Sequence, residues 1–593
     1  MKNTFNLLHD KLTEAQISEA IGNAPLLPPL GDPTWNALAH RPPTQAWAAA
    51  IRLQAEREKD EPLPVLTDEL YADFWVTGIR INFEQLYFER RRRLGRAVMS
   101  VVLDGPASPL LESAIHKLGD VFSEVSWALP AHVTHHPDGK DPRCIDLFCA
   151  ETANLMGQCL DLLSPVLPTE LAHRIRARLD RDIFENYLTR HDEFWWTRAA
   201  MNWNAVCQQG VLGAALAVER EPSRLAKMLQ LAANDLPVFL SGFTPDGGCT
   251  EGPVYWEYGF GWFMALNEQL EQRSAGRLSL IEGDPQIRTI ARYGPAMYLA
   301  NGYLVNFSDC APQASVSTAA LAAYLGERLD DANCRELAAD KYRELAMMGL
   351  LLTGQRNDLF HFVRTFRNCP ADLSAPVSRP ATNACFPDLG LVVERWNSWE
   401  FAAKAGHNGE SHNHNDGGSY LLHAHGQRWA IEIGAPEYVQ AFFSPKRYEF
   451  LAARSRGHSV PVINGCEQFE GRAAAVKILE YRPGHLVIDL TRCYPAAADC
   501  RSCIRTFDFD KQQGRLHVED RFSLTAARDL ETAIIAEDPS RFRVIPGPTT
   551  CLMTTETHSY SGHDGQPATV QRIVLKPQTL TTETVLSYTI EAL

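Results

Sequence analysis

The feature that most constrains this chain is a change of hydrophobic period near residue 385. Upstream, LFCAETANLMGQCLDLL (147–163), ELAHRIRARLDRDIFENYL (170–188), VCQQGVLGAALAV (206–218) and RLAKMLQLAANDLPVFLSGF (224–243) carry apolar residues at three-and-four spacing, as one face of a helix requires. Turns rich in Pro, Gly or Asp separate them, which favours antiparallel helix hairpins. Downstream, LGLVVERW, WEFAAKAG, GSYLLHAHG, HLVIDLTRCY, CIRTFDFD and RLHVEDRFSL alternate or run as short apolar bursts, the pattern of strands. DKQQGR (510–515) has the composition of a hairpin turn. The expected fold is therefore α+β and multidomain. Helix hairpins at 1–375, closed as an (α/α) toroid or stacked as a solenoid, precede an antiparallel β-sandwich at 385–593. No sequence repeat supports the solenoid. CPADLSAPVSRP (369–380) is the expected linker.

Composition excludes several classes. A net charge of −15 argues against nucleic acid as a partner, and an anionic ligand would need local basic charge. ERRRRLGR (89–96) supplies a basic cluster, read first as a solvated helix face. No stretch reaches the roughly 18 uninterrupted apolar residues of a membrane span. The start, MKNTFNLLHDKLTEAQ, lacks the pattern of a signal peptide. The fourteen cysteines are then expected as reduced thiols in a cytoplasmic protein. The oligomeric state is left open, a homodimer being admissible.

Three segments could carry chemistry. HNGESHNHNDGGSYLLHAHG (407–426) holds two H-x-H pairs. On a strand His412 and His414 would face one side, while His423 and His425 are expected at a solvated hairpin end. His414 with Glu432, in WAIEIGA, and His458, in RSRGHSVPVING, would make a two-histidine, one-carboxylate set suited to zinc. The alternative is a hydrogen-bonded core cluster. TPDGGCTEGPVYWEYG (244–259) follows a Gly-rich loop with Tyr255, Trp256 and Tyr258. A tyrosine can act as acid and base, although such a segment can also be a helix entry with core aromatics. WWTRAAMNWNAVCQQG (195–210) places Asn202 and Asn204 at a helix start, where an amide can relieve a carboxylate's charge or simply cap the helix.

With SWALPAHV (126–133) and FSPKRYEF (443–450), these segments resemble, in order, the heparinase II/III-like polysaccharide lyases; H-N-H-N-D is the most specific of the motifs. The resemblance implies a toroid followed by a β-sandwich, and β-elimination on uronic-acid glycans. It assigns Asn202 (or Asn204) and His412 to the substrate carboxylate, and Tyr255 to acid and base work, with Tyr258 as the fallback. Trp127, His132, Asn204, Tyr438 and Arg447 are implied substrate contacts. His414, Glu432 and His458 match the family's structural metal site, for which zinc is expected and manganese or calcium is admissible. An acidic oligosaccharide, of glycosaminoglycan or alginate type and cleaved exolytically, is the expected substrate. A glycoside hydrolase using two of Asp192, Glu193, Asp246 and Glu251 is one rival. A non-catalytic uronide-binding protein is another.

Overall fold

The computed structural model describes residues 4–133, 144–315, 318–348, 358–373, 382–548 and 551–593. Most of the expected linker lies outside the described residues. The chain forms two compact units. One comprises Met1–Gly242, Trp256–Ala291 and Ser315–Arg379; the other comprises Phe243–Tyr255, Arg292–Ala314 and Pro380–Leu593.

The first unit is helical, as its periodicity requires. At its centre the helix Asn202–Val218 buries nearly every side chain, which accounts for a sequence apolar all round. It packs on the helix Leu147–Leu162 through small residues. A Cβ on Gly210 would lie 2.4 Å from the carbonyl carbon of Ala150, and one on Gly157 would lie 2.9 Å from Cα of Ala214. Glycine at these positions lets the two backbones approach.

The arginine cluster lies on the helix Ile81–Asp104, and the solvated face expected for it is corrected. Arg90, Arg91 and Arg96 are buried. Arg90 and Arg91 donate to Glu124, while Arg96 donates to Glu58 and Glu89. Charged groups leave water in this way only when paired. The spacing of the arginines was visible in the sequence, but their acidic partners, 33 to 38 residues away in the chain for Glu58 and Glu124, were not.

Among the described residues, the second unit holds three antiparallel sheets, of seven, five and four strands. Leu391–Trp396, Trp399–Lys404, Tyr420–Ala424 and Gln427–Ala430 follow one another in the five-stranded sheet. Cys500–Asp510 pairs with Arg515–Leu524 in register Asp510↔Arg515, so DKQQGR is the expected hairpin turn. A continuous core runs from Val392 and Phe401 through Phe507, Val518 and Leu586. Segments 243–255 and 292–314 precede the change of period yet belong to this unit. They are largely irregular, pinned by bridges such as Phe243↔Cys249 and Tyr303↔Gln313, and so show no period to read. None of the fourteen cysteines is paired in a disulfide. No helix among the described residues is long and apolar enough to cross a membrane.

Candidate active site

A buried polar cluster of the second unit is built around Asp309, in the turn NFSDCAP. Its buried carboxylate accepts from His412 Nδ1 at 2.9 Å, from His414 Nε2 at 2.9 Å and from Arg447 Nη2 at 2.8 Å. Burial opposes its charge, but the two imidazoles and the guanidinium outweigh that and hold its pKa well below the usual carboxylate range. The backbone N–H of Asp309 also donates to the carbonyl of His412.

The two histidines do not sit on a strand. Residues 409–419 form an irregular loop, and His412 is left-handed there at φ 58°, a conformation non-glycine residues adopt when neighbours enforce it. The rings converge because both bond Asp309, not because of strand alternation. The intervening asparagines hold the loop. Asn413 donates to the carbonyl of Asn408 and Asn415 to that of Gln468.

His412 stacks on Tyr255 with ring centroids 4.0 Å apart and planes 16° apart. Its Nε2 lies 3.8 Å from the carboxylate of Glu251, which is itself buried. The Tyr255 hydroxyl is 2.7 Å from that of Tyr438. Burial pushes the Tyr438 phenol well up, and the Asp309 carboxylate adds to this, so Tyr438 keeps its proton and can donate it to the Tyr255 oxygen. Arg447 is engaged by Asp309 and the carbonyl of Asn413, and its guanidinium covers Phe442. Tyr255, Tyr438, His412 and Arg447 thus form one cluster with Asp309 and Glu251.

The other two histidines of the motif part ways. His425 is exposed at the hairpin turn, as expected. His423 is instead buried edge-on to Tyr303, and burial lowers its pKa to about 3. It is a neutral core histidine.

Beneath the loop, His414, Asp416 and His458 place one donor atom each within 4.8 Å of one another. Among the described residues, His414 Nδ1 and both Asp416 oxygens are buried without a hydrogen bond; Asp416 Oδ1 forms an ion pair with Lys404 Nζ at 2.8 Å. Glu432, just beyond the strand Gln427–Ala430, accepts from His458 Nδ1 at 2.6 Å and from Ser419. Each histidine therefore has a carboxylate on one nitrogen, Asp309 for His414 and Glu432 for His458. Metal-ligating histidines are oriented in this way. His458 Nε2 lies 2.9 Å from the carbonyl of Ala452, a contact that would have to yield if that nitrogen took a metal. With two orphaned donors and two supporting carboxylates, the residues fit a divalent ion. The convergent set contains Asp416, with Glu432 supporting His458. Asp416, the last residue of the H-N-H-N-D motif, is not among the ligands expected from the sequence, which named Glu432 as the carboxylate.

The remaining candidates belong to the helical unit. Asn202 is the first residue of its helix and is buried, with Met201 as the cap. Asn204 donates to the carbonyls of Thr197, Ala199 and Asp235, a bracing role that leaves it no donor for a ligand. Tyr258 lies in a π-helical turn and donates to Glu151 at 2.7 Å. Trp127 is buried, its N–H given to Val121 and its face covered by Arg178, which removes it as a sugar platform. His132 sits between Asp146 at 2.7 Å and Arg80 at 3.2 Å.

Of the carboxylates a hydrolase would need, Asp246 accepts from Thr244 and Gly248 in its own turn and from the backbone N–H of Asp388. Glu193 pairs with Arg190. Glu251 alone stands beside the cluster. Asp309 was missed because its turn carries no motif; the only trace is a charged residue inside the apolar run LVNFSDCA.

Residues 378–534 match the family model described as Heparinase II/III-like, C-terminal. No curated protein matches the chain. Among solved structures, heparinase III is 11% identical with a TM-score of 0.62, the match covering 91% of this chain and 84% of that one. The heparan sulfate lyase HepC from Pedobacter heparinus is 12% identical with a TM-score of 0.54, covering 92% and 88%. A Paenibacillus xanthan lyase is 11% identical with a TM-score of 0.50, covering 93% and 57%. The chain thus has the expected fold class, a helical N-terminal region followed by C-terminal antiparallel sheets.

Proposed function

We propose that this protein is a carbon–oxygen lyase that cleaves uronic-acid-containing glycans by β-elimination. The observation that carries the reading is the cluster Tyr255–Tyr438–His412 around the buried carboxylate of Asp309. It lies in a unit that contains the match to the heparinase II/III-like model. The C5 proton of a uronate is α to a carboxylate and only weakly acidic, so the charge that develops on removing it must be stabilised. In this reading Tyr255 takes that proton and returns one to the O4 leaving group. Tyr438 donates its hydrogen bond to the Tyr255 oxygen and steadies it as a phenolate. With Nδ1–H given to Asp309, His412 presents Nε2 to the substrate. Asn202, expected from its motif to bear on the uronate carboxylate, belongs to the helical unit.

A divalent ion, zinc by the nitrogen and oxygen donor set, would be held by His414, Asp416 and His458. It would brace the loop that carries His412, and no step of the reaction is assigned to it.

Tyr255→Phe tests the reading. Loss of the hydroxyl removes proton transfer, worth about 10²–10⁴ in rate, while the phenyl ring still stacks on His412. Turnover of a uronide substrate should fall by that factor with its Kd little changed. A Tyr255→Phe enzyme of normal rate, with Tyr258→Phe inactive, would move the chemistry to Tyr258.

A further inference from the structure

Trp195 is, among the described residues, the only tryptophan classed as exposed, at 56%. It opens a four-residue 3-10 helix, Trp195–Arg198. Side chains three apart in such a helix eclipse one another, so Arg198 rises on the same side as Trp195. Arg198 is 71% exposed, and its contact with Asp192, itself 96% exposed, is a loose 3.5 Å. Pairs of that kind contribute little and exchange readily for another anion.

The platform is supported from behind. Trp203 lies with its ring centroid 4.8 Å from that of Trp195 and 4.8 Å from His132. His132 cannot turn away, because Asp146 holds one ring nitrogen and Arg80 the other. An exposed indole with a fixed aromatic support and an exposed guanidinium one 3-10 turn along the chain suits an acidic pyranose. The ring C–H face stacks on the indole while the anionic substituent meets the arginine. Trp203 directly follows Asn202 in the chain.

We propose that Trp195 and Arg198 form a subsite for an acidic sugar unit, Trp195 stacking on its ring and Arg198 pairing with its carboxylate or sulfate. The proposal rests on the lyase reading for its substrate class. It extends that reading to a further sugar contact on the helical unit.

The test is calorimetric binding of tetramannuronate, a heparan sulfate tetrasaccharide and cellotetraose, in a Tyr255→Phe background so that no probe is consumed. Trp195→Ala should weaken the acidic tetrasaccharides by roughly threefold to tenfold, the scale of one aromatic stacking contact. Arg198→Gln should erase the preference for acidic over neutral probe. Both side chains are exposed, so both variants should melt like their parent. Unchanged acidic-probe binding in both variants would overturn the subsite, as would a parent that binds neither acidic probe. If wild-type protein performs no elimination but Trp195→Ala still loses binding, the lyase reading fails and the subsite stands. If elimination proceeds and binding is unchanged in both variants, the subsite fails and the lyase reading stands.

Discussion

Replacing Asp309 by asparagine keeps the shape of the side chain, removes its charge and sets an NH2 group against partners that are all donors. The carboxylate now accepts from His412, His414 and Arg447. The amide oxygen can satisfy part of this set, and the amide nitrogen must face a ring N–H or the guanidinium. Hydrogen bonds to a charged group contribute about 1.5–3 kcal/mol each. Breaking a buried pair by removing one partner costs about 3–5 kcal/mol. The three contacts share one acceptor and are not additive, so the expected loss is about 3–5 kcal/mol in total. For a unit of this size that lowers Tm by on the order of 10 °C. Because the same carboxylate fixes the His412 tautomer and ring orientation, kcat should fall about 10–100-fold, the usual effect of losing a residue that orients a functional histidine. Thermal melting of the purified variant, together with kcat and KM on the best uronide, reads both effects. A variant that melts within about 2 °C of wild type and turns over normally would refute the role assigned to Asp309.

Three further substitutions probe neighbouring groups. His414→Ala should lose bound metal and melt earlier, since a ligand's binding energy is also folding energy, whereas His412→Ala should keep the metal; elemental analysis and melts with and without chelator read this. Wild-type protein purified without metal would reduce His414, Asp416 and His458 to a hydrogen-bonded core cluster. Glu410 has its pKa raised to about 7, by burial first and by Asp416, against the opposing charges of Lys404 and Arg472. Below the ordinary glutamate range both folded and unfolded forms are protonated and nothing is lost. Between that range and about 7 only the unfolded chain ionises, so stability falls as pH rises, by at most about 1.4 kcal/mol per unit. Glu410→Gln should therefore raise Tm at pH 8 and leave it unchanged at pH 4; an equal effect at both would exclude titration as the cause.

Much of the fold could be read from residue spacing because burial imposes it locally. The helices at 147–162 and 202–218 and the hairpin at 510–515 follow from periods of 3.6 and 2 and from turn composition. The cluster of Tyr255, Tyr438, His412 and Arg447 was legible only through motif order, since these residues stand as much as 192 positions apart in the chain. Its organising residue, Asp309, was illegible. One aspartate in an aperiodic turn looks like any other until the histidines it binds are placed. His423 misled for the converse reason: its H-x-H spacing repeats that of His412 and His414, but its neighbours are Tyr303 and the sheet core. The Arg90–Arg96 cluster shows the same limit, because charge spacing does not reveal whether Glu58 and Glu124 wait in the interior.

The central claim is the reaction type, and one digest tests it most directly. The protein is incubated with the most rapidly cleaved member of a uronide panel. Ultraviolet absorbance of the conjugated C4–C5 double bond and new reducing ends are then counted in the same sample. Elimination makes one unsaturated end for every reducing end, so the account predicts a ratio of about one throughout the time course. Reducing ends without unsaturation would mean hydrolysis by paired carboxylates and would contradict it.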